Sequence, residues 1–152
     1  MKLPPHLSIK NSHLHIDGQD CVALAQRYGT PLYVTSEDRV CEQFMSYQKA
    51  LSRYYPKVSI LFAAKANGNL AVIRALARLG AGADVFSSGE LHLALEAGMP
   101  AEKLLFNGSS KTPSDLKLAV ETGVKVSVDS LDELHQLVNI FKGEMSFVGP
   151  RP

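Results

Sequence analysis

From residue 58 onward the chain repeats one pattern four times: a short apolar run, a polar cluster, then an apolar stripe at helical spacing. Val58–Ala64, Ala83–Phe86, Lys103–Phe106 and Val124–Val128 read as strands. Helices are predicted from Leu70, Ser87, Thr112 and Ser130, and Gly80, Gly98 and Gly123 stop the first three. Ser87 with Glu90, and Ser130 with Glu133, have capping-box spacing, and Thr112 precedes a proline suited to the first helical turn. Strands that alternate with helices at a period of roughly 20 to 25 residues favour a parallel sheet, and so the α/β class.

Two parallel architectures fit this rhythm, an open doubly wound sheet and a (β/α)8 barrel. A dinucleotide-binding open sheet carries G-x-G-x-x-G after its first strand. The candidate here, Gly80-Ala81-Gly82-Ala83-Asp84-Val85, lacks the third glycine and precedes a strand, which argues against it. In a barrel the functional loops follow the strands. The polar clusters Lys65-Ala66-Asn67, Ser87-Ser88-Gly89-Glu90, Asn107 to Lys111 and Asp129-Ser130 all do so and would face one rim. Helix capping accounts for Asn69, Ser87, Thr112 and Ser130. It does not account for Lys65, Asp84 or Asn107. Lys65 stands among alanines at the predicted exit of a buried strand, a setting that can make an amine a nucleophile toward a carbonyl.

The first 57 residues are less regular. Residues 1–20 read as irregular or short-stranded, with a turn at Asp17-Gly18. His13 and His15 would share a strand face, but no carboxylate or cysteine at ligand spacing joins them, so no metal site is expected. Residues 23–28 suggest a short helix stopped by Gly29, and Pro31–Val34 a strand. A helix capped by Thr35 or Ser36 follows, with Val40, Phe44, Tyr47, Leu51 and Tyr54 as an apolar stripe expected to pack in the core. With 152 residues, 45% of them hydrophobic, one sizeable core is expected. A formal net charge of +1 gives no reason to expect nucleic acid, and no apolar run reaches membrane-spanning length. A cytoplasmic protein with reduced Cys21 and Cys41 is the expectation.

Five ordered motifs then carry a family resemblance. Tyr28-Gly29-Thr30-Pro31-Leu32-Tyr33-Val34, Phe62-Ala63-Ala64-Lys65-Ala66-Asn67 and Gly82-Ala83-Asp84-Val85-Phe86-Ser87-Ser88-Gly89-Glu90-Leu91 resemble diaminopimelate decarboxylase. Phe106 to Thr112 and Val126 to Ser130 continue the match. That family belongs to the pyridoxal-phosphate enzymes built on an alanine-racemase-like barrel. The resemblance implies pyridoxal 5'-phosphate as cofactor and Lys65 as the lysine that holds it covalently. It implies decarboxylation of an amino acid, meso-diaminopimelate to L-lysine, in a homodimer. Asp84 would position or offset charge near the cofactor, and Ser87 and Asn107 would line the rim. A racemase shares the Lys-Ala-Asn string but fits Asp84 to Leu91 less well.

Relative to that family the expectation is a truncated barrel, holding the first four strand-helix units. Residues 1–22 would belong to the family's β-domain, 23–140 to the partial pyridoxal-phosphate barrel, and 141–152 to a foreign-looking Gly/Pro tail. Leu131 to Pro152, ending Val148-Gly149-Pro150-Arg151-Pro152, resembles bacterial undecaprenyl-phosphate sugar transferases, which places a junction near residues 130 to 140. The expected outcome is an N-terminal decarboxylase fragment inactive alone, the alternative a non-catalytic half-barrel that binds the cofactor.

Overall fold

The computed structural model of the chain describes residues 3–140 and the backbone of 147–150. It divides into two compact units, Met1–Gln43 and Phe44–Pro152.

In the first unit, strands β1 (Leu7–Lys10), β2 (His13–Ile16) and β3 (Gln19–Asp20) form an antiparallel sheet in that order. Asn11 and Ser12, at φ 50° and 63°, close the first hairpin, and Asp17-Gly18, at 47° and 79°, the second. These two-residue turns match the twist of the strands they join. Helix α1 (Cys21–Tyr28) starts at once on Asp20, whose Oδ1 accepts from Val22 N at 2.8 Å. The other Asp20 oxygen lies 2.8 Å from His13 Nδ1. That hydrogen bond, with the one from Val22, outweighs burial and holds the Asp20 carboxyl below its usual value. The strand expected at Pro31–Val34 does not form. A strand needs a paired neighbour, and among the described residues none of the first unit's strands runs beside it; Tyr33 is 98% exposed.

Helix α2 (Glu37–Ser52) begins where Ser36 Oγ accepts from Arg39 N at 3.0 Å, with Glu37 and Asp38 in its first turn. Its predicted core stripe is corrected by the structure. Only Phe44 is buried, while Tyr47 and Tyr54 are 66% and 82% exposed. Spacing places residues on one face of a helix but does not supply the surface that face packs against.

The second unit is a parallel sheet in strict chain order: β4 (Leu61–Ala63), β5 (Gly82–Val85), β6 (Leu104–Phe106), β7 (Lys125–Val128) and β8 (Phe147–Pro150). Helices α3 (Leu70–Arg78), α4 (Ser88–Glu96), α5 (Pro113–Thr122) and α6 (Leu131–Ile140) connect or follow them. When consecutive neighbours are joined by crossovers of one hand, every helix falls on the same face, as in a barrel. The helix-covered face carries Ala83, Val85, Leu104 and Phe106, all 0% exposed, with α4 packed on β5 and β6. Leu91 and Ala94 of α4 and Leu116 and Ala119 of α5 complete this core.

Two sequence expectations change here. The apolar run from Val58 was expected to be a buried strand, yet β4 holds only three residues and Leu61 is 37% exposed. Among the described residues it lies at the sheet's edge, with a partner strand on one side alone. Within the Gly/Pro tail, where no strand was expected, Phe147–Pro150 supplies β8, parallel to β7 with Val126 opposite Phe147. Pro150 is compatible with an edge strand, and among the described residues β8 is paired on one side alone. Residues 141–146 and 151–152, with Phe141 and most of the proposed junction tail, lie outside the described residues. Gly82, part of the rejected nucleotide motif, has a packing reason: a Cβ there would collide with the Lys103 carbonyl and the Leu61 side chain.

Candidate active site

Cross-strand register aligns Ala63 with Asp84, Asp84 with Leu105, and Leu105 with Lys125. Registered partners project to the same side of a sheet, so these four form one row. It alternates with the fully buried residues, and therefore lies on the face away from the helices. Asp84 and Leu105 are half-buried there.

Lys65 leaves this surface from the carboxyl end of β4. It lies in a single 3-10 turn, Ala64–Ala66, closed by Asn67 N donating to Ala64 O at 3.2 Å. Ala64 is buried and Lys65 is exposed. The Lys65 amine folds over the Phe86 ring, with Nζ 4.1 Å from the centroid. Asn67 Oδ1 then accepts from Asn69 N, and Asn69 Oδ1 from Ala71 N, which starts α3.

Asp84 stands two residues before Phe86. Its Oδ1 is buried and has no hydrogen-bond partner. A buried carboxylate oxygen in a folded chain normally has a donor. An orphan of this kind on a sheet face that also carries a lysine marks a place where a ligand can supply the missing donor or positive charge.

Asn107 extends the ladder past β6, its N–H donating to Val85 O at 2.7 Å, while its Oδ1 accepts from Gly108 N at 3.0 Å. Ser87 does local work: its Oγ accepts from Glu90 N at 3.2 Å and caps α4. The structure thus brings Lys65 onto Phe86, places Asp84 opposite Ala63 on the adjacent strand, sets Asn107 on the adjoining loop, and turns Ser87 toward its own helix.

The rim is braced by contacts that no local motif announces. Glu90 Oε2 accepts from Phe86 N at 2.8 Å, and Glu133 Oε2 accepts from Asp129 N at 3.3 Å. Both reach one residue further back than the ordinary capping box, whereas the shorter Asp115 bonds Thr112 N itself. Burial pushes the Asp115 carboxyl up, but hydrogen bonds from Thr112 and Ser88 outweigh it and leave it below the usual range. Lys111 lies 2.8 Å from Glu133 Oε1 with both side chains buried, and it also donates to Gly108 O. Gly108, at φ +103°, lies against the Phe86 ring, where a Cβ would come within 3.2 Å of Cδ1. Phe86, Lys111 and Glu133 went unread as site residues because each partner is remote in sequence. The one available signal was a lysine in a strand-exit cluster.

Among the described residues no three histidine, cysteine or acidic side chains gather to hold a metal, and no helix is long and apolar enough to cross a membrane. A cavity of about 210 Å³ lies at the opposite, amino-terminal end of β4 and β5, between Ser59, Leu79 and Lys103, away from Lys65.

Residues 37–148 match the family described as pyridoxal-dependent decarboxylase, pyridoxal binding domain. Diaminopimelate decarboxylase of Archaeoglobus fulgidus is 43% identical over 89% of this chain and 31% of its own length. The enzyme of the same name from Methanocaldococcus jannaschii is 40% identical over 84% of this chain and 30% of its own. A crystal structure of that diaminopimelate decarboxylase in complex with L-lysine superposes with a TM-score of 0.84 at 38% identity, over 90% of this chain and 32% of that one. The chain therefore spans about a third of the length of the relatives it matches.

Proposed function

We propose, on the premise that this chain belongs to the pyridoxal-dependent decarboxylase family, that it carries the lysine side of a pyridoxal-phosphate site for decarboxylating an amino acid. The observation that carries the reading is the Lys65 amine held over Phe86 at the carboxyl end of β4, while the neighbouring strand carries, two residues before Phe86 and in register with Ala63, the unpartnered buried oxygen of Asp84. The donor set suits the cofactor. A primary amine is the group that can hold its aldehyde, and an orphaned carboxylate can receive a ring N–H or offset positive charge.

When bound, pyridoxal phosphate supplies an electron sink that lets an α-carboxylate leave as CO2. The remaining work falls to the chain's own residues. The 3-10 turn lifts Lys65 clear of the buried Ala64 and into reach of a ligand on the open face. Small Ala63, Ala64 and Ala66 leave room for a flat ring close to the backbone. Asp84 fixes charge and orientation from the neighbouring strand. Asn107 offers its amide at the rim, and the Ser87 hydroxyl lines the same edge while it caps α4.

The relatives named above support meso-diaminopimelate as the substrate and L-lysine as the product. A homodimer in the cytoplasm belongs to the same proposal, as does assignment of residues 1–22 to a β-domain. Incubation with pyridoxal phosphate should give a visible absorbance and, after borohydride, a mass tag on the peptide containing Lys65. Tagging that persists elsewhere and unchanged in a Lys65→Ala chain would refute the assignment. CO2 release from diaminopimelate separates a working decarboxylase from a half-barrel that only binds the cofactor.

A further inference from the structure

The Lys65 amine is folded onto an aromatic ring that is itself held in place. Phe86 is fixed at its own N–H, which donates to Glu90 Oε2 at 2.8 Å. The Gly108 backbone closes its edge, where even a methyl group would crowd Cδ1 at 3.2 Å. Gly108 is in turn tied by its carbonyl to Lys111, and Lys111 to Glu133 at 2.8 Å in a buried ion pair. A run of contacts therefore crosses from the loop after β4 to the loop after β7, and it ends on the amine that would carry the cofactor.

We infer that Phe86 is a positioning residue for Lys65, a seat on which the amine rests while it is free and which it must leave to bond a carbonyl ligand. The inference rests on the proposed role of Lys65 only where pyridoxal phosphate is the ligand. An ammonium over a ring face is held by the ring's quadrupole. That contact belongs to the free amine, because an amine bonded to a carbonyl carbon is drawn off the ring toward its ligand. A contact made in the free state alone weakens attachment by the factor it contributes to that state. The seat then acts in two ways. It keeps an exposed lysine at one place on the rim, and it makes its attachment easier to reverse when a competing amine arrives.

The sign of the effect separates this role from simple support. Phe86→Leu should lower the pyridoxal phosphate concentration needed for half-maximal tagging of Lys65 by about two- to fivefold. Phe86→Tyr, which keeps the ring, should leave it unchanged. Two readouts do not involve the cofactor. Ring current should move the Lys65 ε-methylene NMR signals, assigned by their loss in Lys65→Arg, upfield in the full chain. The displacement should vanish in Phe86→Leu and persist in Phe86→Tyr. Acetic anhydride should label Lys65, relative to the other lysines, about two- to fivefold faster in Phe86→Leu.

Lys65 signals at ordinary positions in the unsubstituted chain overturn the seat. So does a folded Phe86→Leu chain in which acetylation and capture are unchanged or weakened. If Lys65 captures no pyridoxal phosphate in any variant, yet its signals and acetylation respond to Phe86, the seat stands and the cofactor reading falls.

Discussion

The two faces of the parallel sheet are built from the same strands and obey different rules. On the helix-covered face Ala83, Val85, Leu104 and Phe106 are closed off from water, with α4 packed on the strands that carry them. On the opposite face the row Ala63, Asp84, Leu105, Lys125 includes a half-buried carboxylate with a lone oxygen and an exposed lysine. Because side chains alternate along a strand, each residue of β5 and β6 is assigned to one face or the other by its position alone. Stability resides on the first face. The second is left free to hold groups that would be poor choices for a core.

If that division holds, the largest stability losses come from the covered face and from the rim's buried ion pair. Phe106→Ala should cost about 3 to 5 kcal/mol, through lost transfer energy and the cavity left behind. A denaturation midpoint that barely moves would erase the distinction between the faces. Lys111→Met leaves the buried Glu133 carboxylate without its cation, and should cost about 3 to 5 kcal/mol. Lys111→Met combined with Glu133→Leu should recover much of that loss, because apolar replacement of both partners removes the stranded charge. A double variant no more stable than Lys111→Met would show that the pair does more than neutralise itself. Ser130→Ala removes one capping bond to Glu133 N, 3.1 Å in the structure, and should cost about 1 kcal/mol by chemical denaturation.

What was legible in the sequence follows the same line between local and remote. Asn69, Ser87, Thr112 and Ser130 cap the helices they were expected to cap, since a cap and its partner are two or three residues apart. The parallel order of the sheet was readable from the strand-helix rhythm, and the family from its ordered motifs. Pairing was not readable, because it depends on chains distant in sequence. Val58–Ile60, read as the start of a buried strand, forms none, although Ile60 O accepts from Gly82 N at 3.0 Å, while the Gly- and Pro-containing Phe147–Pro150 pairs with β7. In the site, Lys65, Asp84 and Asn107 stood out as polar residues that capping left unexplained. Phe86 looked like the last residue of a strand until the lysine side chain came to lie on its face.

Asp84→Asn tests the open face directly and should move stability by less than about 0.5 kcal/mol. The buried Oδ1 has no hydrogen-bond donor among the described residues, so the change strands no donor there. The same change should sharply reduce tagging of Lys65 by pyridoxal phosphate if Asp84 orients the cofactor. A large loss of stability with unaltered tagging would instead make Asp84 a structural residue and merge the two faces into one.

The smallest effect lies outside the sheet and shows how a polar group behaves when it is fully satisfied. Asp20 contrasts with Asp84: one of its oxygens caps α1 through Val22 N, and the other is bonded to His13. The His13 hydrogen bond is the main reason its carboxyl sits below the ordinary value of 3.8. A carboxyl whose folded value is depressed binds its proton more readily in the unfolded chain. Its contribution is therefore complete above the unfolded value and fades as pH falls through the lower folded one. Asp20→Asn should accordingly narrow its stability gap from the unsubstituted chain as pH is lowered through that acid window, with amide exchange in Val22 to Ala25 as the local readout. A gap that stays constant, or widens in acid, would mean that Asp20 acts through shape alone and that its bond to His13 contributes nothing to folding.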